Sequence, residues 1–293
     1  MARVLYRISI SGLCAIGALL AMPSLALDRQ EQAENSNPSI VSLPLSAEQQ
    51  KLLDQSRRYA LDYVSNLPNF ICRQVTRQFE AGRKPEHWRK LETIGSRLVF
   101  SEGREERTIE TINDKPPSRN RALRRPLQTE GEFGVLLGNV FGEASKAVFS
   151  WNGWQTLRGK RVAVFDYIVD NEHSTLRLSL SNLVRAVVPY HGSIYADPAT
   201  GVVWRITNSP FDIPDEVRTR SIATVIDYDA VTINGQTHLL PVEASVALDT
   251  GSHNVLNRME FLDYRKFDAE STITFAATPS EVITSPGGKP DNQ

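Results

Sequence analysis

The chain has 293 residues, 33 basic against 34 acidic, for a net charge of −1. That balance excludes a dedicated nucleic-acid binder, whose phosphate contacts demand a concentrated basic excess. The length is enough for one large core, and no long linker divides it into two halves.

Arg3 and Arg7, the apolar run from Ile8 to Leu20 and the small-residue ending Ser24-Leu25-Ala26 read as a cleaved export signal, residues 1–26, with cleavage after Ala26. The apolar stretch is about a dozen residues, short of the roughly 20 needed to span a bilayer. The sequence therefore predicts a periplasmic or secreted protein with no transmembrane anchor in its mature form. Cys14 is not preceded by the small residue that a lipid-attachment site requires, so soluble release is expected. Cleavage leaves 31 basic and 34 acidic residues, a charge of −3, and Cys72 as the one remaining cysteine. No internal disulfide can then form, although the compartment permits one. Cys72 sits in the strand-like run Asn69-Phe70-Ile71-Cys72-Arg73, where a buried inert thiol is the expectation.

Residues 27–44 are polar, without hydrophobic period, and read as a disordered leader. The single β-rich domain is expected over 45–275, and 276–293, rich in Pro, Gly and Ser, reads as a disordered tail. Ser46 stands before Glu48 and Gln49 as an N-cap would, and Leu52, Leu53, Ala60, Leu61 and Val64 recur at helical spacing until Pro68. Tyr59 and Tyr63 extend that apolar face and are expected to pack on a sheet.

After Pro68 the period changes to two. Ile71, Val75 and Phe79 alternate with Cys72, Gln74 and Thr76, and Arg73 and Arg77 interrupt one face. Residues 89–100 and 104–112 predict a hairpin around Ser101-Glu102-Gly103. Gly131 to Phe141 has helical spacing through Phe133, Leu136, Leu137 and Val140, ended by Gly142. Further strands are predicted at 146–151, 161–169, 175–180, 185–188, 193–196, 202–207, 220–228, 237–248 and 256–267, with Asn234-Gly235 as a hairpin turn. The expected fold class is α+β. A large curved antiparallel sheet of about ten strands, a half-barrel, carries the N-terminal helix and a second short helix on its concave face.

Between the strands at 193–196 and 202–207, Asp197-Pro198-Ala199-Thr200-Gly201 supplies a turn-initiating aspartate, a preset proline φ and a glycine for the positive-φ position. This strand, Asp-Pro-x-Thr-Gly, strand hairpin resembles that of the lipoprotein-carrier superfamily, typified by LolA, LolB and the lipid-sensing domain of RseB. The chain also resembles a family of secreted bacterial proteins with no established activity, through Leu67-Pro68-Asn69-Phe70-Ile71-Cys72, Gly131-Glu132-Phe133-Gly134, Trp154-Gln155-Thr156-Leu157-Arg158-Gly159 and Tyr264-Arg265-Lys266-Phe267. The carrier resemblance implies a half-barrel whose apolar lining shelters acyl chains beneath helical lids. It transfers no acyl-binding motif residue by residue.

No catalytic constellation is legible. There is no Gly-x-Ser-x-Gly, and His191-Gly192-Ser193 is the one suggestive local grouping. The five histidines, His87, His173, His191, His238 and His253, lack metal-ligand spacing. Asp166, Asp212, Asp215, Glu216, Asp227 and Asp229 qualify as acid/base candidates by type alone, and no cofactor is implied. Phe165 with Tyr167, Trp204 with Ile206, and Met259 with Phe261 fall on shared strand faces and are candidate cavity-lining residues. Arg119, Arg121, Arg124 and Arg125 form the concentrated basic segment, a candidate contact for anionic headgroups. The expected function is non-enzymatic binding of a lipid, an acylated protein or another amphiphile. An envelope protein-interaction module without a cavity, and an extracytoplasmic hydrolase built on His191 or His173, are the alternatives.

Overall fold

A computed structural model describes residues 44–83, 87–118, 133–180 and 184–267. The expected export signal (1–26), the expected leader apart from residue 44, the Arg119 to Arg125 segment and the expected tail (276–293) lie outside the described residues. No helix among the described residues is long and apolar enough to cross a membrane.

The order along the chain is α1 (Ala47–Asn66), β1 (Phe70–Gly82), β2 (Arg89–Ser101), β3 (Arg104–Ile112), α2 (Val135–Phe141), β4 (Val148–Leu157), β5 (Lys160–Val169), β6 (Arg177–Leu180), β7 (Val184–Val187), β8 (Tyr190–Ala196), β9 (Val203–Pro210), β10 (Ser221–Ile233), β11 (Gln236–Asp249) and β12 (His253–Lys266). Ten strands form one curved, unclosed antiparallel sheet in the order β3-β2-β1-β12-β11-β10-β9-β8-β5-β4. The expected α+β half-barrel is the observed architecture. The meander is interrupted twice. β1 pairs with β12, joining the two ends of the domain, and β5 pairs with β8 because β6 and β7 form a separate two-stranded hairpin. β6 and β7 are four residues each and pair with one another.

Local chemistry starts and stops α1 where the sequence predicts. The Gln49 N–H donates to Ser46 Oγ at 3.2 Å, and the Ser46 N–H donates to Gln49 Oε1 at 2.8 Å, a reciprocal capping box. Pro68 then forbids continuation. The helix buries Leu52, Leu53 and Ala60 against the concave face. Phe133 and the α2 residues Leu137, Val140 and Phe141 complete the same core, with Phe133 5.1 Å from Phe70 and 5.3 Å from Phe261.

The convex face is charged and solvated. Arg73 pairs with Asp263 at 2.7 Å, Arg77 with Glu260, and Arg97 with Glu110 at 3.4 Å, each between neighbouring strands. The arginines that interrupt the apolar alternation of β1 therefore mark its solvent side. Such exposed pairs contribute about 0–1 kcal/mol each, and stability rests on the buried face.

Two glycines let elements approach where a side chain would not fit. Gly201, at φ +77°, closes the β8–β9 turn flush against α1, and a Cβ there would lie 2.8 Å from the backbone of Gln55 and Ser56. Asp197 shapes that turn: its Oδ1 accepts from the Ala199 N–H, the Thr200 N–H and the Thr200 hydroxyl, each at 2.9 Å. Gly192 on β8 leaves room for Tyr167 of β5 to cross above it and donate its hydroxyl to the Thr207 carbonyl of β9 at 2.7 Å. That bond lies where the β8–β9 register runs from His191↔Ser209 to Ile194↔Ile206 without an intervening pair.

Three outcomes follow from this packing. Gly201→Ala combines a positive φ with a backbone clash and should cost roughly 1–3 kcal/mol in urea unfolding, with faster proteolysis within α1. Tyr167→Phe should cost about 1–3 kcal/mol, because it strands the Thr207 carbonyl in a buried position. Cys72 is 2% exposed and burial pushes its thiol up to about 12. A thiol-alkylating reagent near neutral pH should thus modify Cys72 in the denatured protein and leave it untouched in the native one, as intact mass would show.

Candidate functional site

Alternation along each strand sets the character of the concave wall. On β1 the inward residues are Phe70, Cys72, Gln74 and Thr76, all buried. Phe100 stacks on Phe70 at 5.2 Å and Phe133 leans on both, so the first part of this wall is aromatic. Farther along it becomes polar. Gln74, Thr76, Ser96 and Asn257 come from three adjacent strands and are 2%, 8%, 3% and 2% exposed. Gln74 Nε2 donates to Thr76 Oγ1 at 3.1 Å. An apolar wall with a hydroxyl and amide stripe suits a molecule that is itself part apolar and part polar.

The second half of α1 leaves a gap against β11. Tyr59, Asp62, Tyr63, Asn66, Leu67, Pro68, Thr237, His238 and Leu239 line a groove of about 270 Å³. The Tyr59 and Tyr63 rings stack at 6.4 Å, and Tyr63 meets Tyr228 edge-on at 6.0 Å. The Tyr63 hydroxyl is enclosed without a hydrogen-bond partner, and burial raises it well above the ordinary tyrosine range. The Tyr63 ring lines the groove while its hydroxyl is shielded from it.

The predicted lining residues divide between the two faces. Phe165, Tyr167, Ile206, Met259 and Phe261 all point to the concave side and sit in the one large core, each at most 5% exposed. Trp204 does not share the face of Ile206, contrary to the alternation expected. Tyr195 pairs with Arg205 and Ala196 with Val203, so Trp204 is an extra residue in β9, a bulge that reverses the facing. It lies on the convex side in a small cluster with Leu157, Val162, Val164 and Tyr195. None of the six lines the groove. The groove residues Tyr59 and Tyr63 were legible as apolar helix positions, whereas Thr237, His238 and Leu239 join them only because α1 crosses the sheet at that point. Arg119, Arg121, Arg124 and Arg125 lie outside the described residues.

The hydrolase candidates form no catalytic chain. His191, Ser193 and Asp166 do approach one another on the convex face, from paired strands. Ser193 Oγ donates straight to Asp166 Oδ1 at 2.5 Å, and Asn152 Nδ2 donates to the other oxygen at 2.7 Å. A serine hydrolase instead needs the imidazole between hydroxyl and carboxylate. His191 packs against Phe211 with ring centroids 5.9 Å apart, and burial holds it below its ordinary value, opposed by Asp166. His173 contacts Asp170 at 2.8 Å in an exposed turn. Asp227 is gripped by Arg205 through bonds of 2.8 and 2.7 Å. Among the described residues no group of three or more His, Cys, Asp or Glu could hold a metal ion.

No family model matches the chain, and no curated protein matches it. Several solved structures are similar in fold. An outer-membrane lipoprotein-sorting protein domain from Vibrio parahaemolyticus is 8% identical with a TM-score of 0.37, over 74% of this chain and 92% of that one. A DUF1329 family protein from Desulfovibrio piger is 9% identical with a TM-score of 0.38, over 76% of this chain and 94% of that one. A LolA superfamily protein from Nitrosomonas europaea is 10% identical with a TM-score of 0.30, over 75% of this chain and 93% of that one.

Proposed function

We propose that the protein is a non-enzymatic binding protein that works outside the cytoplasm and shelters an amphiphile, a lipid or the acyl chains of an acylated protein, against its concave face. The groove between α1 and β11 carries this reading. It is the place where the helix fails to seal the apolar wall, with aromatic and aliphatic sides and a polar rim of Asp62, Asn66 and His238.

Its volume of about 270 Å³ falls just short of the roughly 300–1,000 Å³ of small-molecule sites. A short chain fits as the structure stands. A longer one enters when α1 lifts and uncovers the apolar wall beneath Leu52, Leu53 and Ala60. Burying about ten methylenes contributes on the order of 8 kcal/mol toward that displacement. A long acyl chain therefore favours the lifting of α1 more than a short one does. The polar stripe of Gln74, Thr76, Ser96 and Asn257 offers hydrogen bonds to the polar linkage of such a ligand. The direct Ser193–Asp166 bond supports a role without turnover.

The mature protein, stripped of lipid and incubated with envelope lipid extract, should retain an amphiphile detectable by native mass spectrometry. A fluorescent fatty-acid probe should bind as well. Thr237→Trp fills the groove from an exposed position and should weaken probe binding at least about tenfold at unchanged thermal midpoint. A wild-type protein that takes up neither extract lipid nor probe, or a Thr237→Trp variant that binds normally, would sink the reading.

A further inference from the structure

Three of the four tryptophans in the sequence, Trp151, Trp154 and Trp204, gather around the β4–β5 hairpin. Its tip reads Leu157-Arg158-Gly159-Lys160-Arg161, three cations in four residues, all exposed. The Lys160 ammonium sits 3.8 Å over the Trp204 ring on the convex side, and the Arg161 guanidinium 4.1 Å over the Trp154 ring on the other. Trp151 packs edge-on against Trp154 at 5.2 Å, yet Trp154 remains 48% exposed. Trp154 thus stands exposed on the hairpin itself and Trp204 of β9 lies part-buried beside it, with a hairpin cation over each ring.

The acids around this tip are already engaged. Asp227 is held by Arg205, Asp229 lies 3.5 Å from Arg158, and Asp197 is occupied by the N–H groups and hydroxyl of its own turn. Lys160 and Arg161 have no ion-pair partner among the described residues. Indoles placed beside uncompensated Lys and Arg, at the tip of a rigid hairpin, fit the boundary between acyl chains and headgroups: the rings seat at headgroup depth and the cations meet phosphate.

We infer that the β4–β5 hairpin tip is a docking surface for an anionic lipid bilayer, with Trp154 and Trp204 as interfacial anchors and Lys160 and Arg161 as the charge contacts. This surface is separate from the groove under α1, and its test does not depend on the amphiphile reading. The mature protein is mixed with vesicles of phosphatidylglycerol and phosphatidylcholine in equal parts, and with phosphatidylcholine alone, and binding is followed by co-sedimentation and tryptophan emission.

Binding to the anionic vesicles with a blue shift is expected, weakened in about 0.5 M salt. The double change Lys160→Gln and Arg161→Gln should reduce binding at least about tenfold. Trp154→Ser should reduce both binding and the blue shift at an unchanged thermal midpoint. Replacing Arg119, Arg121, Arg124 and Arg125 by Gln tests the other basic segment. The inference is overturned if the wild type ignores anionic vesicles, if the Lys160/Arg161 variant binds like the wild type, or if binding is lost with the Arg119 to Arg125 variant and kept in the hairpin variant.

Discussion

The close seating of Gly201 against the α1 backbone is the contact on which the arrangement of the domain turns. The β8–β9 turn carries no side chain at this point, and its backbone therefore meets Gln55 and Ser56 directly. Asp197 makes the turn rigid by accepting three hydrogen bonds from Ala199 and Thr200. A rigid turn at the middle of the helix fixes where α1 crosses the sheet. Its second half then lies over β11, and the groove between them is a consequence of that crossing rather than of any residue in the groove itself. The Asp-Pro-x-Thr-Gly segment reads in sequence as turn chemistry; in the fold it is also a helix seat.

The two faces of the sheet carry out different tasks, and the tyrosines show how the division is enforced. Tyr167 reaches across Gly192 to the Thr207 carbonyl and ties three strands together from the concave side. Tyr190 donates to the Asn139 carbonyl at 3.1 Å and Tyr264 to the Pro241 carbonyl at 2.6 Å, so each ring fills apolar space while its hydroxyl closes a backbone acceptor. Tyr63 departs from this pattern, with an enclosed hydroxyl that has no acceptor. That departure falls at the groove. An enclosed hydroxyl without a partner is a weak point of the packing beside the groove.

Much of the fold was legible because it follows from local chemistry. Ser46 and Pro68 bracket α1, Gly142 ends α2, and the hairpin around Ser101-Glu102-Gly103 forms as the period-two pattern requires. What the sequence hid was non-local. No pattern in β1 announces β12 as its neighbour, since antiparallel pairing across nearly the whole domain is chosen by packing. Trp204 falls on the opposite face from Ile206 because a bulge inserts one residue, and alternation counted by twos cannot detect it. Tyr59 and Tyr63 were correctly read as apolar helix positions, but the space beside them exists only through the angle at which α1 crosses β11. The hairpin tip is half visible: strands are expected at 146–151 and 161–169 on either side of it, yet β4 runs on through Asn152-Gly153 to Leu157, and only the fold lays Lys160 over a tryptophan 44 residues away in sequence.

The hairpin tip and the helix seat also lie at the same end of the sheet. Ala163, two residues beyond Arg161, pairs with Ala196 immediately before the Asp197 turn, so the cationic tip of β4–β5 stands beside the turn that seats α1. A bilayer met by this tip would face the end from which α1 leaves the wall. Lifting α1 in water exposes Leu52, Leu53 and the wall beneath, which opposes opening by the same burial term that holds the helix down. At a headgroup boundary that exposure is smaller, because apolar surface uncovered there meets lipid rather than water. If the tip docks as proposed, cations placed beside α1 would couple arrival at a membrane to a lower cost of lifting the helix, so that the wall beneath it opens to a long chain there.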